Sequence, residues 1–263
     1  MSLLATLAAT GGAVLAYMTG WFVAAWLKER NDIADIAWGT GFILAAAVSL
    51  AVAGVWPPRG VLVSTLVVIW GVRLALHIHA RNRGRGEDRR YRQWREEWGR
   101  WFVLRSFLQV FMLQGMLLVL VAVPVVVANS LPSPPLNLLD GAGVMIWLFG
   151  FGFEAAGDWQ LLQFLRNPDN RGKLMTTGLW QYTRHPNYFG EVTLWWGIWL
   201  ITLSVPGGWA AVVGPLTITL LILKVSGIPM LEKGYAGRPD FEDYKRRTNA
   251  FFPGPRRAPE EKP

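Results

Sequence analysis

Residues 36–58, IAWGTGFILAAAVSLAVAGVWPP, contain no charged side chain over 23 positions. A bilayer hydrocarbon core about 30 Å thick requires about 20 apolar residues in an α-helix. Four further runs also lack charge, at 3–27, 60–72, 106–139 and 192–223. Together these runs predict an all-α, polytopic membrane protein.

Helix breakers within the two longest runs set the number of predicted helices. The segment LPSPP at 131–135 ends the fourth helix, and the Pro-Gly-Gly at 206–208 separates the sixth from the seventh. Proline removes a backbone donor and glycine permits a tight turn. About seven transmembrane helices result, at 3–27, 36–55, 60–80, 106–128, 139–157, 189–205 and 209–228. Residues 1–253 are interpreted as one integral-membrane domain and residues 254–263 as a disordered tail.

The Lys and Arg residues lie mostly in alternate loops. Two occur in 28–35, nine in 81–105, four in 158–187 and eight in 231–263, whereas the other loops contain only Arg59. By the positive-inside rule this bias predicts a cytoplasmic C-terminus, in a protein embedded among membrane lipids. The net charge of +8 is therefore attributed to topology and not to nucleic-acid binding.

The chain contains no cysteine, which excludes disulfides, thiol nucleophiles and cysteine-ligated metal sites. The spacing of His77, His79 and His185 does not predict a metal site. No G-x-G-x-x-G fingerprint follows a predicted strand, so a Rossmann domain is not expected. Polar side chains instead concentrate at four places near the predicted cytoplasmic helix ends, where they become candidates for function.

The first place is the stretch 29–39. Asp32 is placed to cap the second helix, and Asp35 lies in its first turn, where the helix dipole favours an anion. The alternative is that Asp35, together with Trp38, faces a cavity and helps to hold or protonate a substrate.

The second place is the end of the third predicted helix. Arg73 and His77 are four residues apart and so lie on one helix face. An arginine inside a membrane helix is costly and indicates function, unless its side chain extends to lipid phosphate. The Arg-rich stretch 81–105 that follows is interpreted as a solvated loop facing the lipid surface, with a phosphate-binding role for part of it as the alternative.

The third place follows the fifth predicted helix, where carboxylates and cations accumulate over 154–173. Carboxylates accept hydrogen bonds from hydroxyls, and arginine binds phosphate through a planar fork, so this composition suits a ligand with ribose and phosphate groups. The alternative is an amphipathic segment at the lipid headgroups.

The fourth place is 178–191, GLWQYTRHPNYFGE. Pro186 is suited to the first turn of the sixth predicted helix, whose free N–H groups would point with Arg184 and His185 at the membrane surface. Glu191 lies one turn further in, on the same face as Asn187. An acid at that depth requires a partner or a ligand.

This fourth segment resembles the signature of the steroid 5α-reductase and sterol reductase superfamily. More closely, the chain resembles a bacterial branch, the DUF1295-like proteins, which have a 5α-reductase C-terminal region. Resemblance to that branch implies a location in a bacterial inner membrane. The other shared motifs are D-x-x-W-G at 35–39, R-G-E-D-x-R-Y-x-x-W-R at 85–95, F-E-A-x-G-D-x-Q at 153–160, V-S-G-I-P-x-L-E-K at 225–233 and R-P-x-[FY]-x-x-Y-x-x-R-T-x-[AS]-F-[FI]-P at 238–253.

The resemblance implies a helical membrane fold that binds NADPH and transfers hydride to an activated C=C bond of a lipophilic substrate, steroid-like or another lipid. The residues that it assigns to the cofactor are Asp158, Arg166, Arg184, His185, Asn187, Tyr188, Glu191, Tyr244 and Arg247. Arg73 and Lys173 are added to this set because cations suit the pyrophosphate and the 2′-phosphate.

Reduction of an enone also requires an acid that polarises the carbonyl or protonates the α-carbon. The steroid-specific members use a Glu in a Q-E-x-P stretch and a Tyr three residues before an Arg. This chain has no Q-E-x-P, and Trp70 stands three residues before Arg73. Asp35 is the predicted replacement, and the other candidate donors are His77, Tyr182 and Tyr91.

Three tryptophans are predicted to contact the substrate, namely Trp38, Trp70 and Trp195, although helix packing alone also explains Trp195. Two other functions remain open. One is an S-adenosylmethionine-dependent membrane methyltransferase, since those enzymes share an R-H-P-x-Y-x-G stretch; the pairing of Asn187 with Glu191 favours the reductase. The other is a lipid-binding membrane protein without turnover.

Overall fold

A computed structural model describes residues 2–84 and 86–258, without the side chains of Arg89 and Arg90. Within these residues the fold is helical throughout, and an isolated parallel bridge between Thr183 and Asn249 is the nearest approach to β-structure. The α-helices are α1 (Leu3–Lys28), α2 (Ala34–Ala53), α3 (Pro58–Asn82), α4 (Arg89–Trp98), α5 (Phe102–Arg105), α6 (Leu113–Val121), α7 (Val123–Ser130), α8 (Leu138–Arg166), α9 (Pro186–Thr202), α10 (Val213–Leu220), α11 (Ile228–Lys233) and α12 (Pro239–Arg247). The predicted all-α class is confirmed.

Six stretches of the described residues are long and apolar enough to cross a membrane: Leu3–Lys28, Asn31–Ala53, Pro58–Asn82, Tyr91–Val121, Leu138–Arg166 and Gly208–Lys233. The other predicted helix, at 189–205, corresponds to α9, which has 17 residues. That is slightly fewer than the roughly 20 residues that a bilayer core requires. The predicted number of about seven is therefore close, and the cytoplasmic C-terminus remains a prediction.

Contacts between Cα atoms divide the chain into two compact units. The first unit contains residues 1–141 and 198–214, and the second contains residues 142–197 and 215–263. The interpretation of 1–253 as one domain remains a prediction. Of the predicted tail, residues 254–258 form neither helix nor strand, and residues 259–263 lie outside the described residues, as does Arg85 of the motif at 85–95.

In the first unit, α2 packs against α1, α3 and α7. Glycines bring the backbones of α2 and α3 together, because a Cβ atom on Gly71 would lie 2.7 Å from the carbonyl oxygen of Gly39. Close approach through small residues is a common way for membrane helices to pack. Asn129 of α7 is completely buried beside them and donates to Ser49 Oγ (2.8 Å) and Ser64 Oγ (3.1 Å).

The first unit also contains a buried ion pair, between Arg59 and Asp140. Arg59, at the start of α3, donates from Nε to Asp140 Oδ1 (2.7 Å) and from Nη2 to Asp140 Oδ2 (2.8 Å). Its remaining donors reach the carbonyl oxygens of Pro134 (2.9 Å) and Pro135 (3.2 Å), and Asp140 also accepts from the Asn137 N–H. The pair therefore ties the 131–137 loop to α3.

Three sequence-based interpretations of local structure are corrected. Residues 89–98 form helix α4 and not part of a loop, because Tyr91, Trp94 and Trp98 recur at helical spacing, with Tyr91 packed edge-to-face on Trp94 and Trp94 stacked on Trp98. Helix α8 continues to Arg166, nine residues beyond the predicted end at 157, and stops before Pro168, which disfavours helix at the preceding residue.

The third correction concerns Asp32. The N-cap of α2 is Ile33, which makes no side-chain capping bond, and Asp32 lies in a 3₁₀ turn before it. The Asp32 carboxylate instead accepts two bonds from Arg30, at 3.0 Å from Nε and 2.7 Å from Nη2. An ion pair within the loop has therefore taken the place of the expected cap, whereas Asp35 does lie in the first turn of α2 as predicted.

Candidate functional site

In the second unit, a row of glycines brings α8 and α9 into backbone contact. A Cβ atom on Gly150 would lie 2.6 Å from both the Gly190 carbonyl oxygen and the Leu194 nitrogen. One Cβ on Gly197 would lie 2.7 Å from the Gly143 carbonyl oxygen. The glycines are seven residues apart on both helices, so they form one seam between two antiparallel helices.

This seam places the polar ends of the two helices side by side. Beyond the glycine pairs, a Cβ on Gly157 would meet Pro186 and the Asn187 nitrogen at 3.1–3.2 Å. One residue later, Asp158 Oδ1 accepts a hydrogen bond from Asn187 Nδ2 (3.1 Å), and Asp158 is 7% exposed. The close helix crossing thus produces a buried carboxylate–amide pair at the start of α9.

The segment before α9 is held against the end of α8. The indole nitrogen of Trp180 donates to the Gly157 carbonyl (3.1 Å), and the Leu179 N–H donates to Gln160 Oε1 (2.9 Å). Gly178 adopts φ +62°, the left-handed region that glycine enters without strain. These contacts determine where the following residues, 183–187, lie.

Arg184 and His185 converge on one carboxylate oxygen. Glu232 Oε1 lies 2.8 Å from Arg184 Nε, 2.7 Å from Arg184 Nη2 and 3.1 Å from His185 Nε2. An ionised carboxylate can only accept, so His185 Nε2 carries a proton. The His185 ring stacks on Tyr188 with centroids 5.6 Å apart, and both Arg184 and His185 are 6% exposed.

The chain beyond α12 lies over this cluster. We call residues 248–257 the C-terminal strap. The Thr183 hydroxyl contacts the carbonyl oxygens of Ala250 (3.1 Å) and Phe251 (2.8 Å), the Arg184 N–H donates to Asn249 O (2.9 Å), and the Gly254 N–H donates to the Tyr182 carbonyl (3.0 Å). The strap is therefore bonded along its length to residues 182–184.

Helix α12 and the loop after α8 complete the arrangement. The Tyr244 hydroxyl donates to the Trp180 carbonyl, and burial raises the pKa of Tyr244 above the usual value of a phenol, which keeps this hydroxyl protonated. Arg238 donates to the Gly172 carbonyl (2.8 Å), so the loop at 167–173 is tied to the start of α12. That loop carries exposed cations at positions 171 and 173.

The first unit has its own polar cluster. The Tyr91 hydroxyl of α4 donates to Asp35 Oδ1 of α2 (3.0 Å), and Arg81 Nη2 of α3 lies 3.6 Å from Asp35 Oδ2. Tyr91 is 4% exposed, whereas the Asp35 side chain is 23% exposed. A tyrosine hydroxyl bonded to a carboxylate beside a cation can donate and recover a proton.

Neighbouring hydrogen bonds hold this cluster in place. Glu87 Oε1 accepts from the Asn31 N–H (2.9 Å) and from Arg95 Nη2 (3.0 Å), and Asn31 Nδ2 donates to Ser106 Oγ (2.8 Å). The turn before α2 is therefore bonded to the segment that carries Tyr91. Arg95 also lies over the Phe102 ring, 4.2 Å from its centroid.

Comparison with known proteins gives one family and one relative. The sequence model of DUF1295, described as a protein of unknown function, matches residues 20–248. The chain belongs to the DUF1295 family. The "3-oxo-5-alpha-steroid 4-dehydrogenase 1" of Bos taurus is 33% identical over 112 residues, which are 42% of this chain and 40% of the bovine protein. The chain thus matches less than half of that relative's length, and no solved structure matches it. The resemblance inferred from the motifs is confirmed.

Several predicted site residues of this DUF1295 protein meet in the second unit. Asp158 contacts Asn187, and His185 stacks on Tyr188. Glu191 is half-buried on α9, and Trp195 is fully buried four residues further along. Arg184 and Tyr244 are buried, whereas Arg166, Lys173, Tyr182 and Arg247 are surface-exposed or partly so.

The other predicted residues lie in the first unit. Asp35 belongs to the polar cluster with Tyr91. Trp38 and Trp70 pack edge-to-face on either side of Phe42, with centroid distances of 5.2 and 5.4 Å, and Trp70 is fully buried. Arg73 and His77 are half-buried on α3. Among the described residues, no group of three or more His, Asp or Glu could hold a metal ion.

Sequence reasoning missed two parts of the site. Glu232 occurs in the motif at 225–233, but only the fold brings it to Arg184 and His185, which lie 48 and 47 residues earlier in the chain. The glycine seam had a readable signal, since glycines at 143, 150 and 157 and at 190 and 197 share a spacing of seven. That spacing indicates a helix face suited to close packing.

The glycine seam leads to a prediction about site assembly. Gly150→Ala is expected to lower the free energy of unfolding by about 1–3 kcal/mol, because the added methyl group meets backbone atoms that cannot rotate away. Separation of α8 from α9 should also weaken the contact between Asp158 and Asn187. Thermal unfolding in detergent measures the effect.

Gly152→Ala on the same helix is the matched control, since nothing lies within 4 Å of its Cβ position. It should be neutral, or stabilising by up to about 1 kcal/mol through higher helix propensity. Equal melting temperatures for the two variants would contradict the seam.

Proposed function

We propose that this DUF1295 protein is an NADPH-dependent membrane reductase that acts on an activated C=C bond of a lipophilic, steroid-like substrate. The name of the bovine relative describes a 3-oxo-5α-steroid and its 4-dehydro product, which differ by a C4=C5 bond conjugated to the carbonyl. In the reducing direction, hydride adds to the β-carbon and a proton adds to the α-carbon. NADPH becomes NADP⁺, so atoms and charge balance.

One observation carries this proposal: the segment 183–187 packs against Asp158 through the glycine seam in a chain of the DUF1295 family. The result is a half-buried amide beside a carboxylate at one helix start. Such a set can bond to ribose hydroxyls or to a carboxamide. The similarity to the bovine enzyme supports the same function.

The donor set of the second unit fits a phosphorylated dinucleotide. Asn187 keeps a second amide hydrogen besides the one that it gives Asp158. Arg166, Arg171 and Lys173 are exposed and make no ion pair with a described carboxylate, so their charges are available to phosphate groups. Asn187 and Asp158 would hold the ribose or carboxamide, and these cations the phosphates. Bound NADPH would supply the hydride.

For the proton, we propose the pair of Tyr91 and Asp35. The 3.0 Å hydrogen bond between them keeps the tyrosine proton shared with a carboxylate, and Arg81 stabilises the negative charge that remains after transfer. Asp35, with 23% of its side chain exposed, would take up a proton from solvent and pass it to the Tyr91 oxygen after transfer. The protein would thus hold and move the proton at the Tyr91 oxygen.

Cofactor binding to the purified protein in detergent provides the test. We expect saturable binding of NADPH and none of S-adenosylmethionine, measured by quenching of tryptophan fluorescence, followed by loss of absorbance at the NADPH band when a 3-oxo-4-ene steroid is added. The double variant Arg171→Gln/Lys173→Gln should weaken NADPH binding about 10- to 100-fold, which is the effect of losing charge-assisted hydrogen bonds.

Arg246→Gln is the matched control, because Arg246 is 63% exposed and its contact is an exposed ion pair with Asp243 of the same helix. It should bind NADPH as the parent does. Retention of S-adenosylmethionine in place of NADPH would identify a methyltransferase and contradict the proposal.

A further inference from the structure

We infer that Arg184 is a positioning residue, whose guanidinium holds the C-terminal strap and does not bind a cofactor phosphate. This inference rests on the proposed function only in naming the phosphate. The resemblance to reductases placed Arg184 along the cofactor, so the inference assigns it a different task. The evidence is the set of atoms that the three guanidinium nitrogens of Arg184 contact.

Protein oxygens occupy all three guanidinium nitrogens of Arg184. Nε and Nη2 lie 2.8 and 2.7 Å from Glu232 Oε1, and Nη1 donates to the carbonyl oxygens of Lys245 and Thr248. The residue is 6% exposed. A group in this state would have to break buried, charge-assisted bonds before it could reach a phosphate.

The carbonyl groups of Lys245 and Thr248 lie at the end of α12, where carbonyls lack helical partners. Arg184 satisfies them and also places its positive charge at the negative end of that helix. Its own N–H bonds to Asn249, one residue further along. Arg184 therefore holds the point at which the strap leaves α12.

Apolar packing places the same strap on α9. The Phe189 ring of α9 contacts Phe251 and Phe252 of the strap, with centroid distances of 5.6 and 6.4 Å, and also Phe153 of α8 at 5.2 Å. Phe252 is nevertheless 70% exposed. Phe251 is 8% exposed, so its packing on Phe189 and the buried Arg184 bonds attach the strap together.

A spin label on the strap tests the inference without any cofactor. The chain has no native cysteine, so Arg256→Cys, at an exposed strap position, allows a single nitroxide label. The Arg184→Lys variant keeps the positive charge but loses the planar guanidinium, whose several donors reach Glu232 and the strap. We expect the label to become more mobile, and trypsin to cut at Lys245–Thr248 about 10- to 100-fold faster, because the strap opens more often.

Thr183→Val is a second variant, which removes a buried hydroxyl bonded to Ala250 and Phe251 without changing charge. It should mobilise the label in the same direction. Arg246→Lys, an exposed change on α12, should leave both readouts at the parental level. Immobile label and unchanged cleavage in Arg184→Lys would overturn the assignment.

Dinucleotide binding supplies a separate measurement. If Arg184 acts through the strap, Arg184→Lys and Thr183→Val weaken NADPH and NADH binding by similar factors. Weaker binding in Arg184→Lys, with the strap as ordered as in the parent, would show a direct phosphate contact and overturn the inference. Failure of the parent to bind NADPH would remove the proposed function, while the label and protease would still decide the role of Arg184.

Discussion

Arg59→Ala is expected to lower the free energy of unfolding by about 3–5 kcal/mol, because it leaves the buried Asp140 carboxylate without its cation. Arg59 is 1% exposed and Asp140 is 3% exposed. The change also leaves the carbonyl oxygens of Pro134 and Pro135 without the Arg59 donors. Unfolding of the purified protein by heat or denaturant in detergent would measure the loss.

The matched control replaces both partners. In Arg59→Met/Asp140→Leu no charge stays buried, so much of the lost stability should return, as it does when buried ion pairs are exchanged for apolar side chains. If the double variant is no more stable than Arg59→Ala, the loss comes from packing or from the loop carbonyls, and the ion-pair explanation is wrong.

Tyr91→Phe is expected to lower kcat for enone reduction about 10²- to 10⁴-fold, the usual contribution of a positioned acid. The substitution keeps the ring that packs edge-to-face on Trp94, with centroids 5.4 Å apart, so the fold should persist. Affinity for NADPH should stay at the parental level, since the hydroxyl is assigned to proton transfer and the cofactor contacts are assigned to Asp158, Asn187 and the cations at 166–173. Single-turnover measurements with excess NADPH would separate the two effects.

Asp35→Asn should reduce kcat as well, because an amide cannot hold the proton that Tyr91 shares with the carboxylate. Tyr235→Phe is the matched control, a partly exposed tyrosine that stacks on Phe241. A loss of kcat in Tyr182→Phe with full activity in Tyr91→Phe would assign the proton to Tyr182 and contradict the proposal.

The sequence by itself determined the fold class and the family. Charge-free runs such as 36–58 are long enough to cross a bilayer, and only helices satisfy their backbone groups there. The motifs at 178–191 and 238–253 identified the family because they consist of particular residue types at particular spacings. The sequence also indicated Asp35 and Tyr91 as candidate proton donors, since polar groups near membrane helix ends are few.

Only the tertiary structure decides which charged residues that are distant in sequence contact one another. Arg184 looked like a phosphate ligand from its neighbours in the chain, yet its guanidinium contacts Glu232 and the carbonyl of Thr248, 48 and 64 residues away. In the sequence, Arg59 was only the single Lys or Arg of the predicted non-cytoplasmic loops. The structure pairs it with Asp140, which lies 81 residues later in the chain. Local sequence specifies which side chains carry charge, but the packing of helices decides which charges meet, because opposite charges attract strongly only when folding brings them within a few ångströms.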